Sequence, residues 1–195
     1  TQMTVAERQA SALNYGNVVF TGPNAKAGAA LILDDRRDFR VTSPAALAGN
    51  YAFGTAGFGP AITTGNFNGQ VVLGTDSVGT PGDGCEPITS NVSGKIALID
   101  RGVCGFTVKV KNAQNAGAIG VIIADNAPGN PPPALGGADA TITIPAMRIS
   151  QGAGVTFKAN LPAQVSFVID PTKLQGADDQ GRPRLFMPNP VQGGS

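Results

Sequence analysis

The sequence predicts a mixed α/β (α+β) fold, with short strands gathered into a β-sandwich or open barrel, flanking helices, and one βαβ unit around residues 94–124. Three observations predict it. Two continuous apolar runs, 95–100 and 119–124, are bracketed by Gly94, Asp100 and Gly117, the pattern of strands buried on both faces. Between them Phe106, Val110, Ala113 and Ala116 recur at helical intervals, as in a helix lying on a sheet. Elsewhere apolar or aromatic triplets alternate with Gly, Pro and Asn, as short strands and turns do.

Residues 4–13 read as a short helix, capped by Thr4 with Glu7 three positions on, and with Val5, Ala6, Ala10 and Leu13 at helical spacing. Residues 17–22 and 29–33 read as strands around a Pro-Asn turn. The mixed-sign cluster of Asp34, Asp35, Arg36, Arg37, Asp38 and Arg40 reads as a solvated turn, since exposed ion pairs contribute little. Phe39-Arg40-Val41, Tyr51-Ala52-Phe53 and Val71-Val72-Leu73 are strand candidates, and Asn68-Gly69 is the dipeptide a tight hairpin prefers. Residues 75–84 form a polar loop leading into Cys85. Asp76-Ser77 within it lacks both the following glycine and the second copy that an aspartic-protease pair needs to share a proton.

The βαβ unit follows: strand 95–100, the turn Arg101-Gly102-Val103, helix 104–116 stopped by Gly117, then strand 119–124, with a right-handed crossover. Lys109, Lys111, Gln114 and Asn115 fall away from the apolar stripe. A Pro-rich loop at 126–138 precedes strand candidates at 141–145, 146–150 and 164–169. The last stretch is turn-rich, with one apolar segment at Leu185, Phe186 and Met187. The expected organisation is an N-terminal arm (1–39), one domain (40–170) and a C-terminal arm or linker (171–195).

Composition excludes several functions. The chain has 195 residues, a size that buries roughly 70% of the unfolded surface. It contains no His, so Ser-His and Cys-His nucleophile systems and imidazole metal sites cannot be assembled from it. Its 14 Lys and Arg are scattered and its net charge is +1, which excludes nucleic acid as an expected partner, because phosphate binding needs clustered cations. The apolar runs fall short of the ~18 residues of a membrane span. The start, TQMTVAERQ, lacks the basic-then-apolar order of a signal peptide, so the segment is expected to be mature or excised, with any export signal elsewhere.

Cys85 and Cys104 lie 19 positions apart, each beside glycine. Spacing alone leaves two buried thiols and a disulfide equally open. A disulfide would stabilise the fold by roughly 3 kcal/mol in the chain-entropy model. Low charge and frequent Gly, Asn and Thr favour an exported, disulfide-bonded chain.

At this point the residues resemble a family. Gly94-Lys95-Ile96, Arg101-Gly102, Cys104, Phe106, Lys109, Asn112-Ala113-Gln114, Ala116-Gly117, Val121-Ile122-Ile123, and Ile144-Pro145 through Ile149-Ser150 resemble the core of a protease-associated (PA) domain over about residues 94–150. The resemblance implies a PA-like fold and a non-catalytic module of a secreted protease, one that binds protein or peptide substrate or regulates access to an active site. The flanks resemble the junctions of PA domains inserted in secreted bacterial zinc metalloproteases, with a subtilisin-type parent as the competitor. The implied partners are a protein or peptide substrate and a catalytic domain of the same polypeptide. The implied peptide-binding residues are Arg101, Gly102, Val103, Asn126, Pro131 and Pro132. For Arg101 the alternative is a fold-stabilising hydrogen bond, and for the Pro-rich loop a plain surface connection.

An alternative function is a cargo or peptide-binding receptor, because Asp100-Arg101-Gly102-Val103-Cys104-Gly105-Phe106 is similar to a stretch in plant vacuolar sorting receptors. An enzyme in its own right is disfavoured: the adjacent pairs Asp34-Asp35 and Asp178-Asp179 do not converge on one substrate in the manner of an acid and base. Calcium at Asp178-Asp179-Gln180-Gly181 lacks the spaced ligands and terminal Glu of an EF-hand. The expectation is therefore no catalytic residue, no metal and no cofactor.

Overall fold

The computed structural model describes residues 37–169, together with strand backbone at 30–31 and 185–186. The chain divides into two compact units, Thr1–Arg37 with Ile169–Ser195, and Asp38–Val168. In the first, β1 (Ala30–Leu31) pairs antiparallel with β10 (Leu185–Phe186). The helix expected at 4–13 and the strand at 17–22 lie outside the described residues.

The second unit is built on β2 (Arg37–Ser43), β3 (Gly49–Tyr51), β4 (Phe53–Thr55), β5 (Gly69–Leu73), β6 (Ile96–Asp100), β7 (Gly120–Ala124), β8 (Ala146–Ile149) and β9 (Ala163–Ile169). These form one eight-stranded sheet in the order β3-β2-β9-β5-β6-β7-β8-β4. Its border strands, β3 and β4, are separated in the chain by Ala52 alone. A one-residue link cannot span an open sheet, so the sheet curls until its borders meet, giving a nearly closed barrel. β5, β6, β7 and β8 run parallel, while β4 and β9 join them antiparallel.

The apolar runs read as continuous because both faces of the central strands are covered. Ile96, Leu98, Ile122, Ala124, Met147 and Ile149 point into one cluster with Phe39, Phe67, Val71, Phe157 and Phe167. Ala97, Ile99, Val121, Ile123 and Ala146 point the other way, against Val110 and Ala113 of helix α1 (Phe106–Asn115). Alternation of period two along each strand sorts the residues between the two clusters. The βαβ unit is thus β6-α1-β7, as the sequence predicts.

α1 ends in a Schellman motif: Gly117 N donates to Gln114 O (2.9 Å) and Ala118 N to Ala113 O (3.0 Å). Gly117 has φ +86°, the left-handed conformation that glycine adopts without cost.

Several local expectations are corrected. The charged cluster is not all turn: Arg37, Asp38 and Arg40 lie in β2, and Asp38 is buried, accepting from Asn50 Nδ2 (3.1 Å). Asn68-Gly69 does not reverse the chain into a hairpin. Asn68 instead bridges strands, its Oδ1 accepting from Phe167 N (2.9 Å) while Gly69 opens β5. Residues 141–145 are loop, with Gln114 satisfying Thr143 N (2.6 Å). A second helix, α2 (Gln151–Ala159), follows β8 in a stretch where the sequence pattern signals no element.

Candidate functional site

The parallel strands β6, β7 and β8 end in register, with Asp100 opposite Ala124 and Ala124 opposite Ile149. The carboxyl ends of parallel strands are where open α/β sheets place ligands. A cleft of about 340 Å³ opens there. One wall is the turn after β6, with Arg101, Gly102 and Val103; the floor is Ala124, Asp125 and Asn126 after β7. The opposite wall is Gln151, Gly154, Val155 and Lys158, positions i, i+3, i+4 and i+7 on one face of α2. Thr80 and Asp83 close the end nearest the disulfide.

The walls are fixed by named contacts. Arg101 N donates to Ala124 O (2.8 Å), tying the turn to β7. Cys85 and Cys104 form a disulfide with Cα atoms 5.7 Å apart, which anchors the 74–90 loop to the residues preceding α1. Ser150 caps α2, its Oγ accepting from Ala153 N (3.3 Å). Gly154 lets α2 approach β7, because a Cβ there would lie 2.5 Å from Ala124 Cβ.

At the floor one carboxylate is shared by two guanidinium groups. Asp125 Oδ1 accepts from Arg101 Nη1 (2.9 Å), Asn126 N (2.8 Å) and Ala127 N (3.2 Å). Its Oδ2 pairs with Arg148 Nη2. Burial pushes the Asp125 carboxyl up, but Arg101, the Ala127 N–H and Arg148 together outweigh it and hold it below the usual carboxylate value. Asp100 is paired with Lys158 (2.9 Å). Arg148 also lies over the Phe106 ring, 5.7 Å from its centroid. In contrast to these paired charges, Val103 is 94% exposed and Val155 62%.

Arg101, Gly102, Val103 and Asn126 of the sequence-derived candidates line this one cleft. Pro131 is exposed and Pro132 buried, and neither is among the residues lining it. That part of the loop instead packs over β4, where a Cβ on Gly54 would lie 2.8 Å from Pro132 O. The cleft also includes Gln151, Gly154, Val155 and Lys158, which are not among the candidates legible in the sequence; Ser150 as a helix cap is the signal that points to them. Lys109, read as lying off the apolar stripe, is fully buried. Its ammonium donates to Asp83 O and approaches Cys85 Sγ (3.4 Å). Burial lowers its pKa, opposed by Asp83, Asp100, Asp76 and Glu86.

The sequence model of the PA domain family matches residues 67–157. The chain is similar to vacuolar-sorting receptor 2 of Arabidopsis thaliana, 33% identical over 141 residues, covering 64% of this chain and 22% of the receptor. It is also similar to a C5a peptidase of Streptococcus pyogenes, 40% identical over 87 residues, covering 45% of this chain and 7% of the peptidase. The chain thus spans less than a quarter of the length of either relative. Among solved structures, an aminopeptidase from Aneurinibacillus sp. strain AM-1 shares the fold, with a TM-score of 0.50 at 24% identity over 85% of this chain and 38% of that one.

Proposed function

Since residues 67–157 form a PA domain, we propose that the chain is a non-catalytic module of a secreted protease that holds a protein or peptide segment in the cleft between the Arg101–Val103 turn and α2. One observation carries this reading: two large apolar side chains, Val103 at 94% and Val155 at 62% exposure, stand on opposite walls of a cleft in which Arg101 is paired with Asp125 and Lys158 with Asp100. Exposed apolar groups on rigid supports favour a ligand with apolar side chains. The disulfide and the Arg101–Ala124 hydrogen bond supply that rigidity. The ion pairs at Asp100 and Asp125 support a non-catalytic role, since neither carboxylate is left poised as a free acid or base. Likeness to a C5a peptidase and to an aminopeptidase supports a protease as the parent.

A synthetic array of octapeptides, probed with the full chain, tests the reading. We expect a subset to bind and the Val103→Asp and Val155→Asp variants to lose affinity about tenfold or more, the cost expected when a charge replaces an apolar anchor. Wild-type binding in both variants, with folding verified by circular dichroism, would overturn the cleft as the site. A second reading, a cargo receptor, is favoured by the likeness to the vacuolar-sorting receptor. The coding sequence on either side distinguishes the two, a peptidase domain supporting the first.

A further inference from the structure

The loop pinned by the disulfide holds a constellation that reaches the cleft only through Asp83. Asp76 is 4% exposed and Asp83 6%, and Glu86 is half-buried beside them. One carboxylate oxygen from each lies within 4.8 Å of the others. The loop is folded to bring them together: Asp76 N donates to Pro81 O (3.0 Å) and Asp83 N to Thr80 O (3.0 Å). Asp83 Oδ1 accepts from Cys85 N (2.9 Å).

Independently of the clustering, both oxygens of Asp76 are buried and accept no hydrogen bond among the described residues. A carboxylate withdrawn from water needs either a countercharge or a proton. The nearby ammonium of Lys109 is spent on Asp83 O and Cys85 Sγ, not on the carboxylates. Three carboxylates and one ammonium leave two negative charges, which one divalent cation balances.

We propose that Asp76, Asp83 and Glu86 bind a calcium ion that clamps the 74–90 loop. Calcium–oxygen distances of about 2.3–2.6 Å put oxygens on opposite sides of the ion roughly 4.6–5.2 Å apart, and the three carboxylates fit within that span. The donors are all oxygen, both cysteines are consumed in the disulfide and the chain has no His, so the set suits a hard cation and not zinc or copper. Magnesium keeps several waters and binds through one or two carboxylates, whereas calcium accepts several protein oxygens in irregular geometry. A largely buried trio of carboxylates selects calcium.

The test uses the full chain stripped of metal, titrated with calcium chloride by calorimetry and melted by circular dichroism in calcium or in chelator. We expect one ion per chain and a Tm raised by about 5 °C or more in millimolar calcium, with a smaller rise in equimolar magnesium. Asp76→Asn abolishes the calcium-induced rise yet melts in chelator no lower than the wild type, because it removes an unpaired buried charge. Glu86→Gln weakens calcium binding about tenfold and, being half-buried, gives a second reading should the first variant fail to fold. Identical wild-type melting in calcium and chelator would sink the proposal. So would an Asp76→Asn variant destabilised equally in both, which would make Asp76 a structural partner of the protein alone. An equal response to magnesium would remove the calcium assignment.

Discussion

Asp125 accepts hydrogen bonds from Arg101 and two backbone N–H groups and pairs with Arg148, while only 4% of its side chain meets solvent. Its partners differ sharply in exposure, 38% for the Arg101 side chain and 5% for Arg148. Asp125→Asn should therefore cost about 3–5 kcal/mol in urea denaturation at neutral pH, because Arg148 is left buried without a countercharge. Arg101→Ala should cost at most about 1 kcal/mol, its contact being screened by solvent. With its folded-state pKa below the ordinary carboxylate value, Asp125 stabilises the fold fully above that ordinary value. The contribution is lost as pH falls through the folded-state pKa, so the gap between wild type and Asp125→Asn should narrow in acid. Arg101 is a candidate in the sequence and lines the cleft, but its pairing with Asp125 joins two strand ends that no local pattern connects. Lys109 was misplaced for a related reason. A helical wheel separates apolar from polar positions, and cannot tell a solvated lysine from one roofed by a distant loop.

At the scale of elements, β6, α1 and β7 were readable because each carries its own signal: aliphatic runs, a helical stripe and a glycine stop. α2 was not readable, and the same residues that hid it explain its packing. Gly152 and Gly154 weaken helix propensity, yet Gly154 is where α2 meets Ala124 of β7. In an exposed helix, glycine to alanine would stabilise by roughly 1 kcal/mol. Here Gly154→Ala should destabilise by about 1–3 kcal/mol, as overpacking does. Adding Ala124→Gly should recover part of the loss, a non-additivity that thermal melts of the single and double variants will measure.

For the whole molecule, the disulfide links the loop before β6 to the start of α1. The loop it closes, 19 positions in separation, predicts that reduction lowers unfolding free energy by about 3 kcal/mol, read as a shift of the urea midpoint with and without reductant. The class of fold was visible in the sequence, as was the βαβ core. Barrel closure was not, because it depends on pairings such as β5 with β9 and β4 with β8, each joining segments about a hundred residues apart. The cleft was legible only in part for the same reason, being assembled from loops near residues 80, 101, 125 and 151.

The one-residue hinge at Ala52 has a further effect on how guests are received. Each outermost strand of the curled sheet is three residues long, which leaves too few free amides and carbonyls for a visiting chain to zip on as an extra strand. A peptide held in the proposed cleft is then not recruited as an added strand, so N-methylation of its main chain, which blocks strand pairing, should leave its affinity almost unchanged.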